Sequence, residues 1–436
     1  MSNLKRYPLF SVADSLKRAF VLSGFQLCDN CESSEIINAE QALITAFDMP
    51  ETSRPEPIYL EDGCFALRSD LLIPQLSSMR GTLPICSAAI GRIYDKKGGT
   101  YPAHLFLQGV YANRDISFKE YKSIWEQIIQ ELYGVTACVK LEPLKKEQFQ
   151  IIIQNEDDEF TFGYTGPAGW FAKTLLGTDL PEVTTWIFSI DIDAVAIHDL
   201  SLENREELYS VLQKDLKKCD SSSPAYGNSF INKAGNLLRK RGYLEFCGSK
   251  LYEDDAYLKM NMIQESWDKN NKGVTLMEPI GNKTGLPTVL TPSLEEALSL
   301  NYKAGEETVK IYEIGHIFRP KSGAKPRERI SLSIGAYGPE IDKKSFRMEI
   351  DQFLTELGIS NHFFFPTDMA IAYDITDCWL VLDEKLHYLE GNLGGISPIA
   401  EKNHGIGIHA FMAQFELEPL EEKASVEYAF VPNELK

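Results

Sequence analysis

The pattern of apolar and polar residues predicts amphipathic helices alternating with buried strands. In residues 12–23, the pattern predicts one apolar helix face made by Val12, Leu16, Phe20 and Val21. Residues 89–97, AIGRIYDKK, are apolar, β-branched and aromatic up to a charged end, which is typical of a buried strand that leads into a loop. Up to residue 112, the first half predicts a strand, a turn at Asp62 and Gly63, a strand through Leu67, a helix over 72–79 and an antiparallel strand pair over 89–95 and 104–112. After it, the pattern predicts a helix over 118–132 and β-rich runs over 136–141 and 149–154. A strand over 185–192 and a closing helix over 195–212 complete the half.

The strand at residues 89–97 has a second copy. Residues 312–321, YEIGHIFRPK, share I-G-x-I-(Y/F) with it, and Gly315 follows Gly91 by 224 residues. Four other segments recur at spacings from 216 to about 228 residues, namely 7–28 with 225–247, 116–134 with 344–359, 162–170 with 389–397 and 189–200 with 405–417. A similar spacing over the whole length predicts two homologous domains with small differences in loop length. We place them at residues 1–214 and 225–436, joined by a charged, Ser-rich linker at 215–224.

Composition is that of a soluble globular protein. The chain has 436 residues, of which 44% are hydrophobic and 25% are charged. It contains no apolar run long enough to cross a bilayer and no signal-peptide core at its start, so we expect a cytoplasmic protein. Among eight cysteines, Cys28 and Cys31 form one C-x-x-C without a second pair, which favours ordinary thiols over a metal or redox site.

The net charge of −19 argues against broad, nonspecific binding to nucleic acid, because a phosphate backbone needs a positive face. Three basic clusters leave room for a local patch, although we expect solvated helix ends and loops instead. Their members are Lys214, Lys217 and Lys218; Arg239, Lys240 and Arg241; and Lys321, Lys325, Arg327 and Arg329.

The order of these motifs resembles the class II aminoacyl-tRNA synthetases. The first half is similar to the catalytic domain of the phenylalanyl-tRNA synthetase alpha subunit, through L-R-(S/T), I-G-R-(I/V)-Y and I-S-F-x-x-(L/Y)-K. The second half resembles the synthetase-like core of the beta subunit, through YEIGHIFRP, GNLGGISP and F-x-L-E-P-L. This resemblance implies an α+β fold of two tandem domains, each an antiparallel sheet flanked by helices. It also leads us to expect no alpha-type coiled-coil arm, no editing domain and no anticodon-binding domain.

The resemblance implies chemistry that this sequence lacks in part. Activating a carboxylate with ATP requires cations against the phosphates, and the family supplies one arginine from its second motif and one from its third. Asp95 stands at the first position, and Ala194 stands at the second. In the second half, Arg319 takes the second-motif position, while we match Ala410 to the third. Both phosphate contacts of the first half are therefore predicted to be lost.

Other residues are candidates for ligand binding. Arg92, Lys96 or Lys97 would have to replace the missing cations, and the family's second-motif histidine would fall near Thr100. The family's Q-x-E-G becomes Phe106-x-Gln108-Gly, in which an amide could accept a hydrogen bond from an ammonium without supplying a countercharge. We also assign His104, Gly166 and Gly169 to the predicted pocket, with a structural role favoured for the histidine.

A metal site is a further candidate. Alternation along a strand would place Asp191 and Asp193 on one face, although carboxylates at a strand end are more often solvated. ATP and Mg²⁺ are the cofactors that the resemblance implies.

Two function classes remain. The first is a diverged paralogue that binds an amino acid, a nucleotide or a partner protein without ligating tRNA. The second is an active ATP-dependent ligase that charges a tRNA or another acceptor with a phenylalanine-type amino acid. We favour the first, because it needs no replacement for the missing arginines. In either class, the two cores pair within one chain or pair again as a homodimer.

Overall fold

A computed structural model describes residues 8–28, 34–45, 54–77, 79–98, 102–144, 147–155, 158–205, 207–208, 230–253, 255–260, 273–321, 323–367 and 372–424. The predicted linker at 215–224, Lys214, Thr100 and Cys31 lie outside these residues.

The first half combines a large sheet, a small sheet and helices. Its strands are β1 (Gln26–Cys28), β2 (Ile36–Asn38), β3 (Ile58–Tyr59), β4 (Phe65–Leu67), β5 (Ile85–Tyr94), β6 (Ala103–Arg114), β7 (Cys138–Pro143), β8 (Phe149–Asn155), β9 (Asp158–Pro167) and β10 (Val183–Asp191). Its helices are α1 (Pro8–Leu22), α2 (Phe118–Tyr133), α3 (Trp170–Leu176) and α4 (Ile192–Asp199), with 3₁₀ turns at Gln41–Leu43 and Lys96–Gly98. Seven strands form the large sheet in the order β1-β5-β6-β10-β9-β8-β7, antiparallel except for the pair β1 and β5.

The second half repeats this plan. Its strands are β11 (Leu244–Glu245), β12 (Tyr252–Glu253), β13 (Thr275–Ile280), β14 (Lys283–Gly285), β15 (Val309–Arg319), β16 (Arg327–Tyr337), β17 (His362–Pro366), β18 (Tyr373–Asp383), β19 (Tyr388–Ile396) and β20 (Phe411–Glu416). Its helices are α5 (Phe230–Lys240), α6 (Ala256–Lys259), α7 (Thr291–Lys303), α8 (Lys343–Leu357), α9 (Pro398–His404) and α10 (Leu417–Lys423). The large sheet has the order β11-β15-β16-β20-β19-β18-β17, which is the order of the first sheet strand for strand. The predicted α+β fold of two tandem domains is therefore confirmed.

The longest helices of the two halves occupy equivalent places in the fold and have the same kind of N-terminal cap. Ser117 caps α2 in a capping box with Glu120, and Asp342 caps α8 in the same arrangement with Ser345. Each helix packs on one face of its sheet. In the first half this layer includes Trp125, whose ring centroid lies 5.2 Å from that of Phe188 in β10.

Two elements differ from the sequence prediction. Residues 71–77 form turns instead of a helix: Asp70 accepts a hydrogen bond from the amide of Ile73, and Pro74 has no amide hydrogen to continue a helical ladder. The closing helix ends at Asp199, because Ser201 adopts a φ of 55° in the left-handed region. Residues 209–212 of that prediction lie outside the described residues.

The two halves pack through their small sheets, β2-β4-β3 and β12-β14-β13. Leu60 and Leu276 form an antiparallel bridge between them. Around this bridge, apolar side chains of both halves make one buried cluster, including Ile36, Leu67 and Phe318. Burial of apolar side chains on both sides holds the halves together as an internal pseudo-dimer.

Candidate functional site

Asp95 follows the last residue of β5, at the position where the resemblance places the first phosphate-binding arginine. Its Oδ1 accepts hydrogen bonds from the backbone amides of Glu56, at 2.9 Å, and Lys97, at 3.0 Å. The carboxylate therefore fixes the loop after the strand, and it brings negative charge where an arginine would bring positive charge.

Two of the three cations proposed as replacements for the missing arginines reach across to the second half. The Lys96 ammonium pairs with Glu278 of β13 and lies 3.6 Å from Oε1 of Glu56. The Arg92 guanidinium donates to Sγ of Cys247, at 2.7 Å. Both side chains thus contribute to the contact between the halves.

Lys97 is held on the same loop. Its ammonium donates to the backbone carbonyl of Arg54 at 2.9 Å. The three cations that the sequence suggested as substitutes are therefore each engaged by the protein itself.

A polar network lies behind Arg92, between the halves. Glu328 of β16 accepts hydrogen bonds from the backbone amides of Glu35, at 2.8 Å, and Ile36, at 3.2 Å. Burial alone would raise the pKa of Glu328, but hydrogen bonds from His316 and Ser34, together with the charge of a nearby lysine, hold it at about 2. Sequence analysis did not find this network, because its members lie about 290 residues apart.

The third-motif position lies where β10 meets α4. Asp191 caps the helix by accepting a hydrogen bond from the Ala194 amide at 3.1 Å. The strand ends at Asp191 and the helix includes Asp193, so the strand alternation that motivated the metal prediction does not hold. Instead, the guanidinium of Arg205 pairs with Asp191, and its Nε lies 3.7 Å from Oδ2 of Asp193. Sequence analysis missed Arg205 as a member of this cluster.

His104 closes this cluster from β6. Its side chain is 7% exposed, and its Nδ1 lies 3.7 Å from Oδ2 of Asp193. Burial and the charge of Asp193 raise the pKa of Asp191 to about 6, while Arg205 acts in the opposite direction. Two carboxylates around one guanidinium leave a negative balance, a set of groups that does not fit a triphosphate.

In the described part of the chain, the predicted metal site at Asp191 and Asp193 is not completed by a third ligand. Among the residues that the structure describes, no group of three or more His, Cys, Asp or Glu side chains is arranged to hold a metal ion. The pair Asp191 and Asp193 already has Arg205 as its cation.

Gln108 is buried on the face of the first sheet that lies opposite the long helices, and both ends of its amide are engaged. Its Oε1 accepts a hydrogen bond of 2.7 Å from the Leu71 amide, and its Nε2 donates to the Ser189 hydroxyl at 3.0 Å. Apolar side chains of residues 71–79 pack on this face, with Phe106 partly buried against them. The chain itself therefore occupies the acceptor that we assigned to a ligand ammonium.

The two glycines of the predicted pocket lie farther along the same sheet. Gly166 is in β9, where a Cβ would come within 3.1 Å of Cγ of Gln148. Gly169 precedes α3, which is seven residues long. Close contact with a neighbouring side chain explains the glycine at position 166 without a ligand.

The equivalent face of the large sheet in the second half is also covered by the chain itself. The Leu290 amide donates to Oε1 of Gln414 at 3.2 Å, and α7 packs against the sheet. Arg319 pairs with Glu416, the last residue of β20. Because Glu416 begins α10 as Asp191 begins α4, the third-motif equivalent lies beyond β20, and our match of Ala410 to Ala194 is wrong.

Several basic residues in the described parts of the predicted clusters make ion pairs. Arg239 is 4% exposed and contacts Glu245 at 2.9 Å. Lys325 lies 3.2 Å from Glu328, and Arg329 pairs with Glu418. These pairs reduce the positive charge available to a nucleic acid. No helix in the described part of the chain is long and apolar enough to cross a membrane.

Two family models match the chain. The class II tRNA synthetase core domain (F) matches residues 1–150, and the phenylalanyl-tRNA synthetase beta chain CLM domain matches residues 217–417. One match lies in each half, in the order that the sequence resemblance predicts.

Individual relatives include subunits of both kinds. The phenylalanine–tRNA ligase beta subunit of Clostridium tetani is 28% identical over 225 residues, which are 46% of this chain and 26% of that subunit. The alpha subunit of Bacteroides fragilis is 24% identical over 148 residues, 32% of this chain and 42% of that subunit. The alpha subunit of Ehrlichia ruminantium is 20% identical over 220 residues, 47% of this chain and 64% of that subunit.

The chain thus spans between about a quarter and two thirds of the length of these three relatives. In motif order and in these matches, the chain is similar to the class II aminoacyl-tRNA synthetases, and it resembles phenylalanyl-tRNA synthetase as an alpha-type core followed by a beta-type core.

Proposed function

We propose that this phenylalanyl-tRNA synthetase-like protein binds an amino acid, a nucleotide or a partner protein and does not carry out full aminoacylation. The observation that carries the proposal is the change of charge at the two family arginine positions. Asp95 occupies the first, and Ala194 at the second is flanked by Asp191 and Asp193. A triphosphate brought to this end of the sheet would meet carboxylates at both points.

The size of the loss supports the same conclusion. Removing one charge-assisted contact to a transition state typically costs about 3–4 kcal/mol, close to a thousandfold in rate. Two such losses, with carboxylate repulsion added, would leave little adenylation. Compensation by Lys96 would require it to leave Glu278, and compensation by Arg92 would require it to leave Cys247.

The closed face of the first half points the same way. In the alpha-type half, the side chain of Gln108 accepts a hydrogen bond from the Leu71 amide, and in the beta-type half Gln414 accepts one from the Leu290 amide. Beta-type cores in the family are non-catalytic. The alpha-type half therefore has the sheet-face arrangement of its non-catalytic neighbour.

ATP–pyrophosphate exchange across the twenty amino acids tests the proposal. We expect no amino-acid-dependent exchange, and we expect at least one amino acid or nucleotide to raise the melting temperature. A variant carrying Asp95→Arg and Ala194→Arg restores both cations, and it should bind ATP more tightly than the unchanged protein. Exchange by the unchanged protein at a rate comparable with an authentic phenylalanine–tRNA ligase would overturn the proposal.

An active ligase is the second candidate, and Arg205 is the observation that favours it. This guanidinium is 36% exposed and lies beside the third-motif position. If Arg205 supplied the missing cation, exchange would be present, would fall about a thousandfold in Arg205→Ala and would persist in Lys97→Ala. Exchange with equal rates in both variants would exclude this role for Arg205.

A further inference from the structure

A cavity of about 490 Å³ opens at the contact between the halves. Helices α5 and α10 and the first residues of β16 form most of its wall, and Ser34 is the contribution of the first half. Pockets that bind small molecules usually have volumes of about 300–1,000 Å³. The cavity is therefore large enough for one small ligand.

The apolar wall of the cavity lies on the helix side of the second sheet. It consists of Ile231, Ile330 and Leu417, which pack in or against the buried cluster that includes α8. The hydrogen bond from Leu290 to Gln414 lies on the other face, which α7 covers. The cavity is thus separate from that face, and its three aliphatic side chains indicate an apolar group in the ligand.

Two cations belong to the polar wall. The Arg329 guanidinium pairs with Glu418 through Nη1, and its buried Nε has no hydrogen-bond acceptor among the residues that the structure describes. The Lys325 ammonium lies 3.2 Å from Oε1 of Glu328, and its side chain is 42% exposed. Both cations therefore have donors to offer a ligand carboxylate, which can accept several hydrogen bonds at once.

Two carboxylates of α10 belong to the same wall. Glu418 and Glu421 are three residues apart, so their side chains lie on one side of the helix. The Glu418 side chain is 37% exposed, and Glu421 is exposed as well. An ammonium group is the kind of donor that such a pair of carboxylates accepts.

The charges on this wall balance one another. Glu328 lies 3.5 Å from His316 and accepts hydrogen bonds from backbone amides of the first half, so it belongs to the network between the halves. The two cations then stand against the two carboxylates of α10. A polyphosphate would meet the carboxylates, and a metal ion would meet the cations. A ligand with one charge of each sign keeps the balance.

The first half has a cation at the equivalent place. Asp191 and Glu416 are the last residues of strands that occupy the same position in the two sheets, so Asp193 corresponds to Glu418. The guanidinium of Arg205 lies beside Asp193, with its Nε 3.7 Å from Oδ2. A positive group beside this carboxylate is therefore compatible with the fold, and in the second half a ligand ammonium can supply it.

We propose that this cavity binds a free α-amino acid with an apolar side chain. The ligand carboxylate lies against Lys325 and Arg329, its ammonium lies against Glu418 and Glu421, and its side chain packs on the aliphatic wall. The proposal rests on the proposed function in that an amino acid is among the ligands, and it assigns that ligand to the contact between the halves.

Isothermal titration calorimetry of the full chain tests the proposal with probes of matched shape. L-leucine carries both charges, isopentylamine lacks the carboxylate and isocaproate lacks the ammonium; L-phenylalanine tests a larger side chain. We expect L-leucine or L-phenylalanine to bind with a dissociation constant below about 1 mM. Isopentylamine and isocaproate should bind at least about tenfold more weakly than L-leucine, because each loses charge-assisted hydrogen bonds.

Lys325→Met tests the contact to the ligand carboxylate. It should weaken L-leucine binding about tenfold and leave isopentylamine binding unchanged, because the amine has no carboxylate to lose. Lys321→Met is the matched control, since Lys321 is an exposed lysine of the same loop that does not line the cavity.

Glu421→Gln tests the contact to the ligand ammonium. It should weaken the binding of L-leucine and isopentylamine about tenfold and leave isocaproate binding unchanged. Glu422→Gln is its control, because Glu422 is the exposed neighbour on α10 that does not line the cavity. Lys325 and Glu421 are both exposed, so neither substitution should unfold the protein.

Two outcomes overturn the proposal. One is the absence of L-leucine and L-phenylalanine binding up to about 10 mM. The other is binding that is equally strong in Lys325→Met, in Glu421→Gln and in the unchanged protein, which would put the amino acid elsewhere and leave the proposed function intact. ATP–pyrophosphate exchange by the unchanged protein would contradict the proposed function without altering these affinities, so the two failures can be told apart.

Discussion

The backbone amide of Leu71 donates a hydrogen bond of 2.7 Å to the side-chain oxygen of Gln108, across the face of the first sheet. In the second half, Leu290 donates to Gln414 at 3.2 Å. The glutamine has moved from β6 to the neighbouring strand position in β20, yet it holds the covering segment in the same way. The two halves thus close this face with the same kind of hydrogen bond.

Gln108→Leu should destabilise the protein by about 1–3 kcal/mol, because it leaves the Leu71 amide buried without an acceptor. Urea unfolding followed by circular dichroism measures the change. Gln414→Leu is the matched variant in the second half, with a smaller expected loss because its hydrogen bond is longer. Equal stability of Gln108→Leu and the unchanged protein would show that the Leu71 bond contributes nothing.

The repeated plan was predictable because its signal is local. The run I-G-x-I-(Y/F) marks β5 and β15 through apolar and aromatic residues that bury in the centre of each sheet. The sequence pattern gave the wrong match where strand pairing determines which residues of the two halves are equivalent. The glycine-rich run before β20 resembles the end of β10 by spacing, but strand pairing places Glu416 opposite Ser331 and Asp191 opposite Phe106.

For the candidate site, the sequence predicts mainly which family residues are replaced, and this stays a prediction. Asp95 and Ala194 could be assigned from motif order, since the motif positions lie at strand and helix ends. The direction of Arg92 and Lys96 toward the second half depends on packing between domains, which no local pattern encodes. Arg205 was missed for the same reason: the chain turns back after α4 to bring it to Asp191.

Gly109→Ala should destabilise the first half by about 2–3 kcal/mol through overpacking. A Cβ at this position would lie 2.3 Å from Cζ of Phe188 and 2.6 Å from the backbone oxygen of Ser87. Gly81→Ala is the control, because nothing lies within 4 Å of its Cβ position. Thermal unfolding should separate the two variants clearly, and similar melting temperatures would contradict the close packing of β5 and β6.

Arg205→Ala should destabilise the protein more at pH 7 than at pH 5. The pKa of Asp191 is raised to about 6 even with Arg205 present, so the charged form already costs stability as pH rises through this range. Removing the guanidinium raises that pKa further. Because Arg205 is 36% exposed, solvent screening limits the expected loss at pH 7 to about 1 kcal/mol.

Arg205→Lys keeps the charge and serves as the control for this effect. Carbon-13 NMR of the aspartate carboxyls follows the titration directly. A pKa of Asp191 that stays near 6 in Arg205→Ala would rule out the electrostatic role of the arginine.

Glu328→Gln should weaken the contact between the halves and flatten the acid limb of the stability curve. The pKa of Glu328 is lowered from an ordinary 4.5 to about 2, so this carboxylate contributes stability above pH 4.5 that is lost as pH falls toward 2. The difference corresponds to about 3 kcal/mol, since one pKa unit is about 1.4 kcal/mol.

His316 contributes to stability in the opposite pH direction. Although burial lowers its pKa, the charges of Glu35 and Glu328 raise it overall, so the stability that His316 contributes is present below pH 6.5 and is lost as pH rises. In Glu328→Gln we therefore expect a lower pKa for His316 by proton NMR and a smaller loss of stability between pH 4.5 and 2. Glu296→Gln, an exposed substitution on α7, should change neither quantity. A pKa of His316 that is the same with and without Glu328 would contradict the network, because the two residues would then not interact across the contact between the halves.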